Sequence, residues 1–258
     1  MPPKKQEAPK LIVYRIRVDQ NVAPHVANDI LTLTICKTKV RIGANVGDYV
    51  LALVADSNEA MKALKKVYKA DTKYFLAAYL FRVDEIVTMQ GYESWCHEHN
   101  ESRICTNDSF SGDCQYFGPQ LEWRKGPHPP SERNRNISGK NALISRHYAA
   151  WTSDSPHLLT PEERLDLHLD DEQVKKIGVG QTYIRFEDEA SMVRSFTMAD
   201  SLINSTKGAG AAAVDGSGAG ASAAVNEMAE LERAFHGNKG GRRTRKRKVN
   251  RKVNRKFI

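Results

Sequence analysis

No apolar run in this chain approaches the roughly 20 residues that a membrane-spanning helix needs, and the opening MPPKKQEAPK lacks the apolar core of a secretory signal. Cysteine is scarce, with four residues and no CxxC pair, so neither a disulfide framework nor a compact zinc module is indicated. These absences predict a soluble, unsecreted protein of a reducing intracellular setting (nucleus, cytoplasm or virion), without a membrane partner. Acid is missing from Lys239 to Ile258, which holds 11 Lys and Arg. The remaining residues carry 28 cations against 31 acids, so the formal +8 belongs to the tail. A folded body that binds an anion must therefore do so through a local patch.

What is present is a pattern of short apolar segments in a chain of 258 residues that is 40% hydrophobic. LIVYRIRV alternates, placing Ile12, Tyr14, Ile16 and Val18 on one face and Arg15 and Arg17 on the other, as in a half-buried strand. LTLTI repeats the pattern, with Leu31, Leu33 and Ile35 inward and the threonines outward. DYVLALV is apolar on both faces and predicts a central strand after a turn at Gly47-Asp48. A helix is expected from Asp56, where Glu59 answers the cap and Met61, Leu64 and Tyr68 form a stripe. KYFLAAYLFRV and NALIS read as further strands, and QTYIRFE as the last.

GYESWCHEH has helical spacing, with Tyr92, Trp95, Cys96 and His99 on one side. Thr160, Pro161 and Glu163 spell a capping box. A helix from Asp188 aligns Met192, Phe196, Ala199, Leu202 and Ile203. Arg103 to Gly139 shows little periodicity, and a loop of that length in a compact domain is functional or disordered. The expected fold is α+β: a curled, partly closed mixed sheet of about six strands with inserted helices. The boundaries are a flexible N-terminus over 1–10, a folded domain over 11–206, a Gly/Ala/Ser linker over 207–225, and a short helix with the basic tail over 226–258. Only RKVN recurs, within the tail.

At its charge density the tail is expected to be solvated, and to attract phosphates in a salt-dependent, sequence-blind way or to act as a nuclear address. Cys96, His97 or His99, Cys105 and Cys114 are soft enough for zinc, but their spacing anchors no metal locally, and inert thiols are the default. Gly139-Lys140 fails as a phosphate loop, since Asn134 and Asn141 stand where Gly and Ser or Thr are required. GVGQ reads as a turn.

TICKTKVR alternates Lys37, Lys39 and Arg41, which on an extended chain would aim three cations at one face. Cys36 beside them is either a thiol with a lowered pKa or a small core residue. Asp48 and Asp113 follow glycines and are first of all turn residues. Asp113 lies among Phe110, Tyr116 and Phe117, where a carboxylate bonds a base edge while rings stack on its faces, or where the aromatics merely close the core.

TLTICKTKVR, VGDYVLAL, AYLFRVDEIVT with YESW, GDCQY and NALISRHYAAW occur in the order seen in a known family. Over most of residues 11–186 the chain resembles the nucleotide modification associated domain, type 2. It departs from that pattern at Thr38, where the family has proline, and at Cys114, where it has asparagine, which bears on any role needing an amide beside Asp113. The resemblance implies a place in systems that modify DNA bases, often in viruses. The strand–VGD–strand order is also similar to PUA-like barrels, which include readers of modified bases.

Together these features predict a nucleotide- or nucleic-acid-binding protein acting in base modification or in recognition of modified bases. Its partners are DNA or RNA, or free nucleotides. The candidate binding residues are Cys36, Lys37, Lys39, Arg41, Trp95, Asp113, Tyr116 and Ser145; no cofactor or metal is assigned. The rivals are an enzyme that transfers a group to a base through Cys36 or Asp113, and a packaging protein that acts through its tail alone.

Overall fold

The computed structural model describes residues 8–17, 22–55, 75–106, 112–152, 156–177, 180–184 and 186–207. The chain divides into two units, Met1–Gly210 and Ala211–Ile258, and every described residue belongs to the first. The helix expected from Asp56, residue Phe110, the linker beyond Lys207 and the basic tail lie outside the described residues.

The fold is α+β, with mixed sheets and no closed barrel among the described residues. β1 (Leu11–Ile16), β4 (Tyr49–Val54), β5 (Leu76–Arg82), β10 (His147–Ala150), β11 (His157–Leu158) and β12 (Gln181–Ile184) form a six-stranded sheet in the order β10-β5-β4-β1-β12, with β11 also on β5. β4 is central, as its unbroken apolar run predicts, and pairs in parallel with β1 and antiparallel with β5. A second sheet runs β2 (His25–Ala27), β3 (Ile30–Leu33), β9 (Asn141–Ser145), β6 (Glu85–Thr88) in the order β2-β3-β9-β6. β7 (Tyr116–Phe117) and β8 (Glu122–Trp123) make a hairpin inside the long segment that lacks periodicity.

Because side chains alternate along a strand, the larger sheet feeds two cores. Leu11, Val13, Leu51 and Leu53 pack with Leu167, Val174, Ala199, Leu202 and Ile203 from α4 (Pro161–Asp166), α5 (Asp171–Lys176), α6 (Glu189–Lys207) and the turns beside them. Ile12, Tyr14, Ile16, Val50 and Ala52 pack with Leu31, Leu33 and Leu143 of the second sheet. The far side of that sheet is covered by Tyr92, Trp95 and Cys96 of α2 (Met89–His99), with Cys114 and Phe117. The described residues of the first unit are thus layered as helices, large sheet, small sheet, then α2 with the hairpin. The Thr160–Glu163 capping box forms, and Asp188 caps α6 by accepting from the Ser191 N–H. Among the described residues no helix is long and apolar enough to cross a membrane.

Two outward faces are in fact inward. Arg15 is buried on the helix side of β1, where its guanidinium donates to the carbonyls of Val54, Val174 and Ile177. It thereby caps the end of α5, serving the Ile177 carbonyl and adding to the bond that the Val174 carbonyl already accepts from the Ile177 N–H. Thr32 and Thr34 are fully buried because the far side of β3 is covered by Asp113 rather than water.

Candidate functional site

After β3 the chain turns sharply instead of staying extended. Cys36 and Lys37 both take left-handed backbone angles, with φ of 54° and 39°, a conformation that costs a non-glycine residue about 1–2 kcal/mol. α1 (Thr38–Gly43) begins at once. The expected row of three cations on one face does not form, because the segment is helical and a helical repeat spreads positions two apart around the axis. Lys37 Nζ turns back to donate to the Arg15 carbonyl and lies 4.8 Å over the Tyr14 ring. Lys39 is exposed. Arg41 is wholly buried and donates to the carbonyls of Cys36 (2.9 Å), Asn141 (2.9 Å) and Asn136, and to the Met89 sulfur. It builds the turn and presents nothing to a ligand.

The strained turn is held from across the fold. The Cys36 N–H donates to Asn136 Oδ1 at 3.0 Å, and Thr38 Oγ1 donates to the Arg135 carbonyl. Both partners lie on α3 (Arg133–Ile137). Gly139 follows α3, where a Cβ would sit 2.1 Å from an Arg41 guanidinium nitrogen, so only glycine lets the Arg41 fork through.

The same segment brings His128 to Cys36. His128 Nε2 is 3.5 Å from Cys36 Sγ, and Nδ1 is 2.9 Å from Glu132 Oε2. Sγ is also 3.9 Å from Nδ1, so the sulfur stands beside the ring and not on the Nε2 lone-pair axis. The tautomer that donates Nδ1–H to Glu132 is the one that leaves Nε2 free to accept a proton. The Asn136 amide donates 2.8 Å to Tyr116 Oη and lies 3.1 Å from His128 Nδ1. The His128 backbone is fixed at both ends: its N–H donates to Gln115 Oε1, and its carbonyl accepts from Trp123 Nε1 at 2.9 Å. Gly126 allows this approach, since a Cβ there would meet Gln115 Oε1 at 2.3 Å.

Cys36 and His128 line a cavity of about 770 Å³ together with Tyr14, Ile16, Arg17, Val22, Lys37, Lys39, Glu132, Arg135 and neighbouring atoms. Four cations, Arg17, Lys37, Lys39 and Arg135, stand in this lining against one carboxylate, Glu132. Burial pushes the Cys36 thiol above its ordinary pKa, opposed by Lys37 and Arg135. Burial holds His128 below the usual imidazole value, opposed by Glu132. At neutral pH the pair rests as thiol and neutral imidazole rather than as a preformed ion pair.

Of the eight candidate residues, Cys36, Lys37 and Lys39 line the cavity, and Tyr116 stands behind it, bonded to Asn136. The others lie elsewhere. Asp113 is buried in the core, its carboxylate accepting from Thr32, Thr34 and Tyr92 with Arg103 at 3.8 Å. Trp95 is stacked between Tyr92 and His99. Ser145 Oγ closes a local turn with the His147 backbone. A carboxylate with four partners in the core has no free edge for a base. Cys96, Cys105 and Cys114 are buried, and among the described residues no group of three or more His, Cys, Asp or Glu is placed to hold a metal ion.

Besides Arg17, which the strand pattern places only on the polar face of the first strand, the site residues that sequence reading misses are His128, Glu132, Arg135 and Asn136. Their one signal is the i, i+4, i+8 spacing of His128, Glu132 and Asn136, interrupted for the eye by Pro129 and Pro130.

The family model described as nucleotide modification associated domain 2 matches residues 8–200, a span that includes every residue of this cavity. No curated protein and no solved structure matches the chain.

Proposed function

The chain belongs to the nucleotide modification associated domain 2 family, and from that premise we propose that the Cys36–His128 cavity binds a nucleotide, free or within a nucleic-acid strand, during modification or recognition of a DNA base. The observation that carries this reading is the lining: four cations against one carboxylate around a hollow of about 770 Å³. That volume lies in the range of pockets that enclose small ligands, and the charge balance selects an anion. Exposed Arg17, Lys39 and Arg135 would take phosphate, as point charge and fork donors do. The apolar wall of Ile16, Val22 and Ala23 would take the base.

The basic stretch Lys239–Ile258 would add a second, sequence-blind attachment to DNA or RNA through its charge. The two contributions separate by experiment. Titration with cytidine monophosphate and with a short labelled oligonucleotide should saturate, and Lys39→Glu with Arg135→Glu should weaken both. Removing residues 239–258 should weaken the oligonucleotide alone, chiefly at low salt. Saturable nucleotide uptake that ignores Lys39 and Arg135 would refute the cavity reading. Loss of all binding with the tail would favour packaging by charge.

A further inference from the structure

Cys36 differs from the other three cysteines in kind. Cys96 and Cys114 belong to the core beneath α2, and Cys105 donates its thiol hydrogen to the Gly112 carbonyl. Cys36 instead lines the cavity with an imidazole nitrogen 3.5 Å from its sulfur. It sits on a left-handed turn that costs energy and is held by Asn136 and Arg41. Packing a small side chain would not require such a turn, and strained backbone of this sort collects at reacting groups.

We propose that Cys36, His128 and Glu132 form a nucleophilic relay for acyl transfer, acting on an acyl group carried by a phosphate-bearing compound such as a nucleotide acylated on its base. The phosphate part of this inference rests on the nucleotide reading of the same cavity; the relay itself does not. The sulfur's neighbour is a base and not a second thiol, which points to attack on carbon rather than disulfide exchange. Sγ lies 3.5 Å from Nε2 and 3.9 Å from Nδ1, so a side-chain rotation first brings it onto the Nε2 axis. The Cys36 S–H bond then breaks as Sγ bonds to the carbonyl carbon, the proton passing to His128 Nε2 and the π electrons to oxygen. Collapse of the tetrahedral adduct expels the amine, which takes the proton back from Nε2 and leaves a Cys36 thioester. Water, or an amino group that receives the acyl unit, then attacks the thioester and gives its proton to Nε2, and the thiol is restored. The cycle is neutral overall and needs no oxidant or reductant.

Lys37 is the cation with the largest hold on the Cys36 charge, with Arg135 next and Arg41 beyond Glu132; each favours the sulfur as it becomes anionic. Glu132 acts through His128 by fixing the Nδ1 proton, and is a positioning residue. Its side chain is 36% exposed, so its effect should be the smaller one.

The test uses the full chain and two probes: p-nitrophenyl acetate, which has no phosphate, and cytidine monophosphate acetylated on its exocyclic amine. Intact mass should show one acetyl group, released by hydroxylamine and absent in Cys36→Ala. His128→Gln should slow acylation by about 10²–10⁴-fold, the range for loss of a general base, and abolish the imidazole limb of the pH–rate profile. Glu132→Gln should lower the rate less and shift that limb. Circular dichroism confirms that each variant is folded, with His128→Asn as a second choice if His128→Gln is not. Acetylation by p-nitrophenyl acetate no faster than in Cys36→Ala, or a folded His128 variant at the wild-type rate, would overturn the relay. Cytidine monophosphate binding by Cys36→Ala is scored separately. If it persists while neither probe acylates, the relay falls and the nucleotide reading stands. If the phosphate-free ester acylates Cys36 while the nucleotide neither binds nor reacts, the phosphate-bearing substrate is the part overturned.

Discussion

The Arg41 guanidinium lies under the Cys36 carbonyl, Nε donating to it at 2.9 Å while the other nitrogens reach Asn136 and Asn141. One side chain thus ties the strained turn to α3 and to the start of β9. Arg41 is fully buried, so its removal takes a donor from three backbone acceptors, of which the Asn136 carbonyl keeps only a long bond from the Gly139 N–H at 3.3 Å. Each such loss costs about 1–3 kcal/mol. Arg41→Met should destabilise the protein by about 3 kcal/mol or more in urea denaturation, and Arg41→Lys should recover little, since an ammonium cannot span a fork.

Gly139 gives an independent test of the same arrangement. A methyl group there would sit 2.1 Å from the Arg41 guanidinium, whose position is fixed by three carbonyls. Gly139→Ala should cost about 1–3 kcal/mol, as overpacking does, although alanine ordinarily improves on glycine. In an Arg41→Met background the penalty should shrink. Independent, additive effects in the double variant would disprove the contact.

Asp113 separates a structural carboxylate from a ligand-binding one. Its oxygens accept from Thr32, Thr34 and Tyr92, and Arg103 is buried beside it. Asp113→Ala leaves that guanidinium uncompensated, and breaking such a pair costs about 3–5 kcal/mol. The melting temperature should fall sharply. Cytidine monophosphate affinity, measured well below the melting transition, should not change. A specific loss of affinity in a protein of normal stability would return Asp113 to the binding site.

The large strands are legible because β4 and β5 are apolar runs set between turn signals, and the caps at Thr160 and Asp188 are local chemistry. What misleads is polarity whose partner is distant. Arg15 is satisfied by Val174 across 159 positions, Thr34 by Asp113 across 79, and Arg41 by Asn136 across 95. A one-dimensional pattern assigns such residues to water. The site divides in the same way: Cys36, Lys37 and Lys39 stand out as a local cluster, whereas His128 and Glu132 gain meaning only when the long segment folds back on the turn.

Lys37 yields a prediction about pH. Burial pushes its ammonium from the ordinary 10.5 down to about 8; the Cys36 sulfur opposes this, while Arg135 and Arg17 reinforce it. The folded pKa lies below the unfolded one, so between those two values the unfolded chain binds more protons and stability rises with pH. Below about 8 both states are charged, and the fold carries the full cost of a buried cation. Lys37→Met removes that cost together with the bond to the Arg15 carbonyl, so the informative quantity is the slope and not the offset. Subtracting the variant's stability from the wild type's should give a curve that is flat below about 8, climbs toward 10.5, and then levels. Saturating cytidine monophosphate should move the lower bend upward, because a phosphate beside Lys37 favours its charged form. A difference curve flat throughout would mean that Lys37 keeps the protonation of a solvated lysine.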